Sequence, residues 1–473
     1  MADLYLVVDR AAGGLAGQIA REVREAVRSG RLVPGARLPA TRDLARDLGL
    51  SRGVVVEAYE QLVAEGLLES RTGAGTRVAA RVAAGAGRQP APGRPGDERE
   101  GYRPHYGHRP TSPDLGLFPR QAWLAAVRHV LATLPNDALD YGDPGGVPAL
   151  RRELAAYLGR VRAADVSPDD VVVVTGVAQG LSLVVQTLVR DRGRRIVLAA
   201  EDPTSARQLP LFQRAGADVV PVPVDGEGIV VEDLPGDADA VVVTPAHQYP
   251  TGVVLSPARR AALVDWAART GALVLEDDYD AELRFDRDPV GCLQGLAPDR
   301  VVLAGSVSKA LAPGLRLGWI AAPPRVARAV RLARGELDLG SPVVDQYVLA
   351  HLIDGGAYDR HLRRMRREYR RRRDALVDAL AEDLPWMTVR GISAGLHLYA
   401  EVNAVAEVND GTDDGGGLSG LVEAARAAGL SAETVTSAHG SPGLVLGFAR
   451  LPAHRVAEAV RALAGNAGGE VRG

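Results

Sequence analysis

The sequence predicts an α/β protein in two parts: an N-terminal winged helix-turn-helix over 1–80, then, beyond a flexible linker over 81–103, a body over 104–473. The body combines a large, mainly parallel-sheet α/β lobe with a small α+β C-terminal lobe. Three observations carry this reading. Short helices separated by a glycine turn open the chain, a stretch without apolar periodicity interrupts it, and short apolar runs then alternate with helical segments. With 46% hydrophobic and 24% charged residues, most of the 473-residue chain can bury a core.

In the front part, Leu15, Ile19, Val23 and Val27 stand four apart on one helical face, and Gly30 closes that helix. Thr41 is placed to cap a short helix carrying Leu44 and Leu48; Gly49 breaks it, and Ser51 is placed to cap a second helix running to about Glu65. LLES and TRV flank Arg71-Thr72-Gly73-Ala74-Gly75, a hairpin that would form the wing. A recognition helix presents its first residues to base edges in the major groove, which puts Ser51, Arg52 and Gly53 in reach of double-stranded DNA. Thr41 and Arg42 suit phosphate, and Gly75 allows close approach of the wing to a minor groove. Residues 1–80 hold 11 arginines and 10 acids, so non-specific affinity should be low and salt-sensitive.

The linker is Ala, Gly, Pro and charge (RVAAGAGRQPAPGRPGDERE). Beyond it come VVVVTG, a helix from about Gln179, RIVLAA, DVVPVPV, AVVVTP, a helix from Ser256, ALVLEDD, RVVLAGS and LGWIAAP, the pattern of buried strands covered by helices. From about Pro342 an arginine-rich helix (Arg363 to Arg373) and the strand-like HLYAEV and LVLGFAR form the small lobe. That basic run is either a solvated helix face or a surface for DNA or for the front domain.

No run approaches the roughly 18 apolar residues of a membrane helix, and the opening MADLYLVVDR lacks the basic start and apolar core of an export signal. Cys292 is the single cysteine, which excludes a disulfide framework and a multi-cysteine zinc site. His129, His351 and His397 show no metal-ligand spacing. The expectation is a cytoplasmic protein without metal or membrane contact.

Lys309 is the single lysine among 56 Lys and Arg residues. A solvated surface charge would be served equally well by arginine, so the exception points to an amine that must lose its proton and attack a carbonyl, that is, to a Schiff base. An ordinary surface lysine is the alternative. Around it stand Thr175-Gly176-Val177-Ala178-Gln179 at a strand-to-helix junction suited to phosphate, the acidic strand end Glu276-Asp277-Asp278-Tyr279-Asp280, and Ser306-Val307-Ser308-Lys309 with Arg316 seven residues on. A phosphorylated pyridine aldehyde needs a lysine, an acid, a hydroxyl donor, and an arginine with backbone amides. A plain ion pair of Asp277 with Arg316 would leave the lysine unexplained.

On these residues, together with Tyr141-Gly142-Asp143-Pro144-Gly145-Gly146, the body resembles the fold type I aminotransferases that use pyridoxal 5′-phosphate (PLP). The resemblance implies that Lys309 carries the cofactor, Asp277 pairs with the pyridine nitrogen, Tyr279 bonds the ring hydroxyl, Ser306 and Arg316 hold phosphate with the Ala178 amide, and Tyr141 reaches the neighbouring subunit's site in a head-to-tail homodimer. The front part is similar to the GntR regulators on Arg37-Leu38-Pro39-Ala40-Thr41-Arg42, Ser51-Arg52, Ala58-Tyr59, Glu65-Gly66 and Gly73-Ala74-Gly75-Thr76. Joined in this order, the two parts resemble the MocR subfamily. Three departures from working aminotransferases favour a regulator: Tyr249 stands where Asn is common, Ser205 where an aromatic ring often stacks, and Val445 where an arginine often grips the substrate carboxylate. Arg207 is either a substitute carboxylate site or a surface residue. The resemblance implies a dimeric regulator whose operator binding responds to PLP, an amine or an amino acid. The rivals are an active aminotransferase with an accessory DNA-binding domain and a regulator whose body only dimerises.

Overall fold

The computed structural model describes residues 6, 8–71, 75–80, 109–285, 290–402, 416–435 and 443–470. The chain divides into two compact units, Met1–Arg103 and Pro104–Gly473. The expected linker over 81–103 and wing residues Thr72 to Ala74 lie outside the described residues.

In the first unit, α1 (Leu15–Arg28), α2 (Thr41–Leu48) and α3 (Arg52–Ala64) precede a two-stranded antiparallel wing, β1 (Leu68–Arg71) and β2 (Gly75–Val78). Ile19, Val23, Leu44, Val55, Leu62 and Val78 meet in its core. The capping expectation needs correction at both helices. Ala40 is the N-cap of α2 and Thr41 its first helical residue; Ser51 is the N-cap of α3, but its hydroxyl makes no capping bond. Both starts therefore rely on backbone geometry, with N–H groups left for an outside acceptor.

The second unit begins with α4 (Arg120–Thr133), α5 (Pro148–Arg162), β3 (Val171–Val174), α6 (Val177–Arg192), β4 (Ile196–Asp202), α7 (Leu209–Ala215), β5 (Ala217–Asp225), β6 (Gly228–Ile229) and β7 (Ala240–Val243). It continues through α8 (Pro257–Thr270), β8 (Leu273–Asp277), β9 (Val301–Ser306), β10 (Gly318–Ala321), α9 (Pro324–Leu337), α10 (Val343–Asp354) and α11 (Ala357–Asp383). The eight-stranded sheet has the order β3-β10-β9-β8-β7-β4-β5-β6. Strands β9, β8, β7, β4 and β5 are parallel; β10 runs antiparallel to both its neighbours, and β6 to β5. A parallel return needs a crossover of a dozen or more residues, usually helical. The short link from Ser306 to Gly318 carries the lysine loop instead, so β10 folds back beside β9.

The small lobe packs α11, α12 (Gly416–Ala427) and α13 (Ala453–Glu470) on an antiparallel sheet of order β11-β12-β14-β13, formed by β11 (Met387–Arg390), β12 (His397–Val402), β13 (Ser431–Val435) and β14 (Gly443–Gly447). Part of the basic run on α11 serves this packing. Arg372 is buried between Asp114 and Glu368, and Arg366 donates to the Glu282 carbonyl. Among the described residues, no helix is long and apolar enough to cross a membrane.

Candidate active site and DNA-reading surface

The parallel strands deliver their C-terminal ends to one cavity of about 400 Å³, lined by Gly176, Ala178, Asp277, Tyr279, Ser306 and Lys309 among others. This is where an open α/β sheet places its ligands. The acidic run at the end of β8 is sorted by strand alternation. Glu276 turns away to accept from the amides of Leu293 and Gln294, and Asp278 pairs with buried Arg162 at 2.8 and 2.9 Å. Asp277 and Tyr279 face the cavity.

Asp277 accepts from Gln208 Nε2 at 2.6 Å through Oδ2, while its Oδ1 is buried and meets no hydrogen-bond donor among the described residues. Burial pushes its carboxyl up to about 7. A carboxylate with one buried, unpartnered oxygen suits a cationic N–H. No ion pair with Arg316 forms; Gln208 takes that place.

Lys309 donates to Thr111 Oγ1 at 3.2 Å, and burial lowers its ammonium to about 8 against the pull of Asp280 and Asp277. The Tyr279 hydroxyl lies 3.2 Å from both the carbonyl and Nδ1 of His247, and that ring is held by Asp280 at 2.9 Å. His247, Asp280 and His397 each bring one ligand-type atom within 4.8 Å of the others, a grouping that sequence spacing does not announce. Its visible use is to buttress Tyr279.

At the other end, α6 begins two residues before the expected Gln179, which puts Val177 and Ala178 in its first turn. Gly176 has φ +123°, and a Cβ there would come within 3.2 Å of the Arg316 guanidinium. Ser306, Arg316 and the free amides of α6 thus surround one pocket end of the kind that phosphate fills. The donor set fits pyridoxal phosphate: Lys309 for the aldehyde, Asp277 for the ring nitrogen, Tyr279 for the ring hydroxyl, and the Ser306–Arg316–Ala178 end for phosphate.

At the mouth, Arg207 and Tyr249, both marked out by the sequence, meet residues that it did not point to. Arg207 Nη2 donates to Glu433 Oε1 at 2.6 Å, and Glu433 Oε2 accepts from the Tyr249 hydroxyl at 3.3 Å. Arg109, Thr111, Thr434 and Val435 line the same space. Gln208 sits beside Ser205 in sequence and was within reach of a close reading; Glu433, on a strand of the small lobe, was not. Tyr141 does not enter this cavity and is 81% exposed. In the first unit, Ser51, Arg52 and Gly53 are exposed at the start of α3, as is Arg42 in α2, while Thr41 is half-buried. Gly75 opens β2 at φ +83°, a conformation that favours glycine.

Residues 15–78 match the gntR family of bacterial regulatory proteins, and residues 113–408 match aminotransferase class I and II. The pyridoxine biosynthesis transcriptional regulator PdxR of Corynebacterium glutamicum is 38% identical over 386 residues, covering 80% of this chain and 82% of its own. The probable rhizopine catabolism regulatory protein MocR of Rhizobium meliloti is 32% identical over 426 residues, 85% of each. Among solved structures, kynurenine aminotransferase of Pyrococcus horikoshii is 26% identical with a TM-score of 0.67, over 77% of this chain and 91% of that one. An archaeal alanine:glyoxylate aminotransferase is similar at 26% and 0.65, over 75% and 88%. These matches cover both parts in the order the sequence gives them, and the chain belongs to the MocR subfamily of GntR-type transcriptional regulators, a GntR helix-turn-helix joined to an aminotransferase class I and II domain.

Proposed function

We propose that this regulator holds pyridoxal phosphate on Lys309 and changes its operator affinity with cofactor occupancy, so that the vitamer is itself the effector. The observation that carries the reading is the presence in one cavity of a half-buried lysine brought down to about 8 and a buried Asp277 with one oxygen left over. When bound, the cofactor supplies an aldehyde that a neutral amine captures as a Schiff base. Lys309 is poised to be that amine, Asp277 to hold the ring nitrogen, Tyr279 to orient the ring, and Ser306, Arg316 and the Ala178 amide to anchor phosphate. The name of the PdxR relative ties that protein to pyridoxine biosynthesis, which supports a vitamer signal here.

The first unit reads double-stranded DNA through Arg52, Ser51 and Gly53, with Thr41, Arg42 and the Gly75 wing on the backbone. Exposed Tyr141 serves the site of a second copy in a head-to-tail homodimer. The organisation follows the boundaries 1–80, 81–103 and 104–473. A signal reaches DNA only if the effector binds two arrangements with different affinity.

The visible spectrum with added pyridoxal phosphate, before and after borohydride, tests the site: the wild type should show a Schiff-base band that reduction bleaches while leaving the cofactor permanently attached, and Lys309→Ala should show neither. Operator titrations of apo and loaded protein test the sensing; equal affinities would refute it. Arg52→Ala should weaken specific binding by about 1–3 kcal/mol and relax base preference, whereas uniform weakening on all sequences would assign Arg52 to phosphate. The rival reading, a working aminotransferase, requires steady turnover of an amino donor and a keto acid that Lys309→Ala abolishes.

A further inference from the structure

The mouth of the cavity carries its own carboxylate. In the small lobe, Glu433 on β13 is the cross-strand partner of Val445 on β14, and Tyr399 on β12 partners Val445 from the other side. Directly opposed residues of an antiparallel sheet project from the same face. The face on which Val445 is fully buried therefore presents Glu433 toward Tyr249 and Arg207. Where a free amine with a carboxylate would look for a guanidinium, Arg207 already holds one carboxylate at 2.6 Å.

We propose that Glu433 is a built-in occupant of the Arg207 fork that closes this site to amino acids and leaves it to ligands without a carboxylate; the inference rests on the reading that pyridoxal phosphate sits on Lys309. Geometry decides which partner would yield. Arg207 is 51% exposed on a flexible side chain, whereas Glu433 is 27% exposed on a paired strand with a second hold from Tyr249. An incoming carboxylate must displace a neighbour that never dissociates, and it meets Glu433 as a like charge. An ion pair this exposed is weak in absolute terms, so the discrimination expected against a carboxylate is about two- to fivefold, not an absolute block.

A matched pair of probes reads this on the full-length loaded protein. Propylamine and 4-aminobutyrate differ by a carboxylate, and L-alanine adds the α-amino acid case. Each can exchange into the Schiff base: its nitrogen forms the C=N bond while Lys309 leaves as the free amine, with no oxidant or added water. The visible band reports the exchange. Wild type should respond to propylamine at lower concentration than to either amino acid. In Glu433→Ala, half-saturation by the amino acids should fall by about two- to fivefold while that of propylamine stays within about 1.5-fold. Glu433→Gln, which keeps volume and removes charge, should shift the same way, and adding Arg207→Ala should erase the gain. Unchanged amino-acid responses in both Glu433 variants would overturn the proposal, as would a wild type that takes amino acids as readily as propylamine. A wild type with no Schiff-base band would instead remove the premise and refute the cofactor reading itself.

Discussion

The floor and the mouth of one cavity were built by different rules. On the floor, Asp277, Tyr279, Ser306, Lys309 and Arg316 come from strand ends and the loop that follows them, and all five line the cavity. At the mouth, Arg207, Glu433 and Tyr249 satisfy one another, and Val445 contributes only packing. On the proposed reading, such a site is equipped to hold a vitamer and poorly equipped to turn over amino acids. If it holds, the difference between floor and mouth makes occupancy and turnover separable functions of the same fold.

The comparison breaks most directly if the two arginines prove equivalent. Arg316→Ala should weaken pyridoxal phosphate binding by about 1.5–3 kcal/mol, because a charged phosphate contact is lost. Arg207→Ala should change it by less than about 0.5 kcal/mol, since its partner is Glu433. Cofactor titrations of both variants followed by absorbance decide this. Similar losses would place phosphate, or another anionic group, at the mouth.

Asp277→Asn comes next and moves two quantities in opposite directions. Burial raises the folded carboxyl from 3.8 to about 7, so the folded apo protein holds the extra proton between those values. The stability this group contributes is complete below about pH 4 and is lost as pH rises through 7. Asparagine removes that loss, and the apo variant should be more stable than wild type at pH 8 by about 1–3 kcal/mol, with little gain at pH 4. Cofactor affinity should fall by a similar amount, about 1–3 kcal/mol, because the ring nitrogen loses its counter-charge. Melting curves at the two pH values and a cofactor titration check both signs.

The floor was legible in the sequence because its residues sit in short local motifs. A buried acid at a strand end and a lysine in an otherwise arginine-only chain are costly or unusual enough to need a reason. The two-part organisation was legible for a similar reason, since helical and strand periods show within a few turns of the chain. The mouth was not. Glu433 lies 226 residues from Arg207, and the pairing depends on the register of β13 against β14, which no local pattern fixes. Thr111 and the His247–Asp280 pair were hidden in the same way, by contacts that exist only after the chain folds. The antiparallel turn of β10 escaped because an apolar run of four residues reads the same in either direction.

The smallest expected effect sharpens the contrast by titrating the floor alone. With its ammonium lowered from 10.5 to about 8, Lys309 is neutral in about a tenth of molecules at pH 7, against roughly one in three thousand for an unperturbed lysine. The rate of pyridoxal phosphate capture should therefore climb with pH to a plateau above about 8, by about tenfold per unit on the lower limb. Stability moves the same way: a depressed lysine binds fewer protons folded than unfolded between about 8 and 10.5, so the cost of burying the charge is full below 8 and is relieved as pH rises past it. Asp277, raised to about 7, titrates in the same range and would add a second inflection. Running the profile in Asp277→Asn removes that inflection and leaves the lysine's, and because Lys309 is the single lysine, no other side-chain amine of that class contributes to the signal. A profile still rising above pH 10 would mean that burial does not depress this amine, and the floor would then hold an ordinary lysine beside an acid with one oxygen left over.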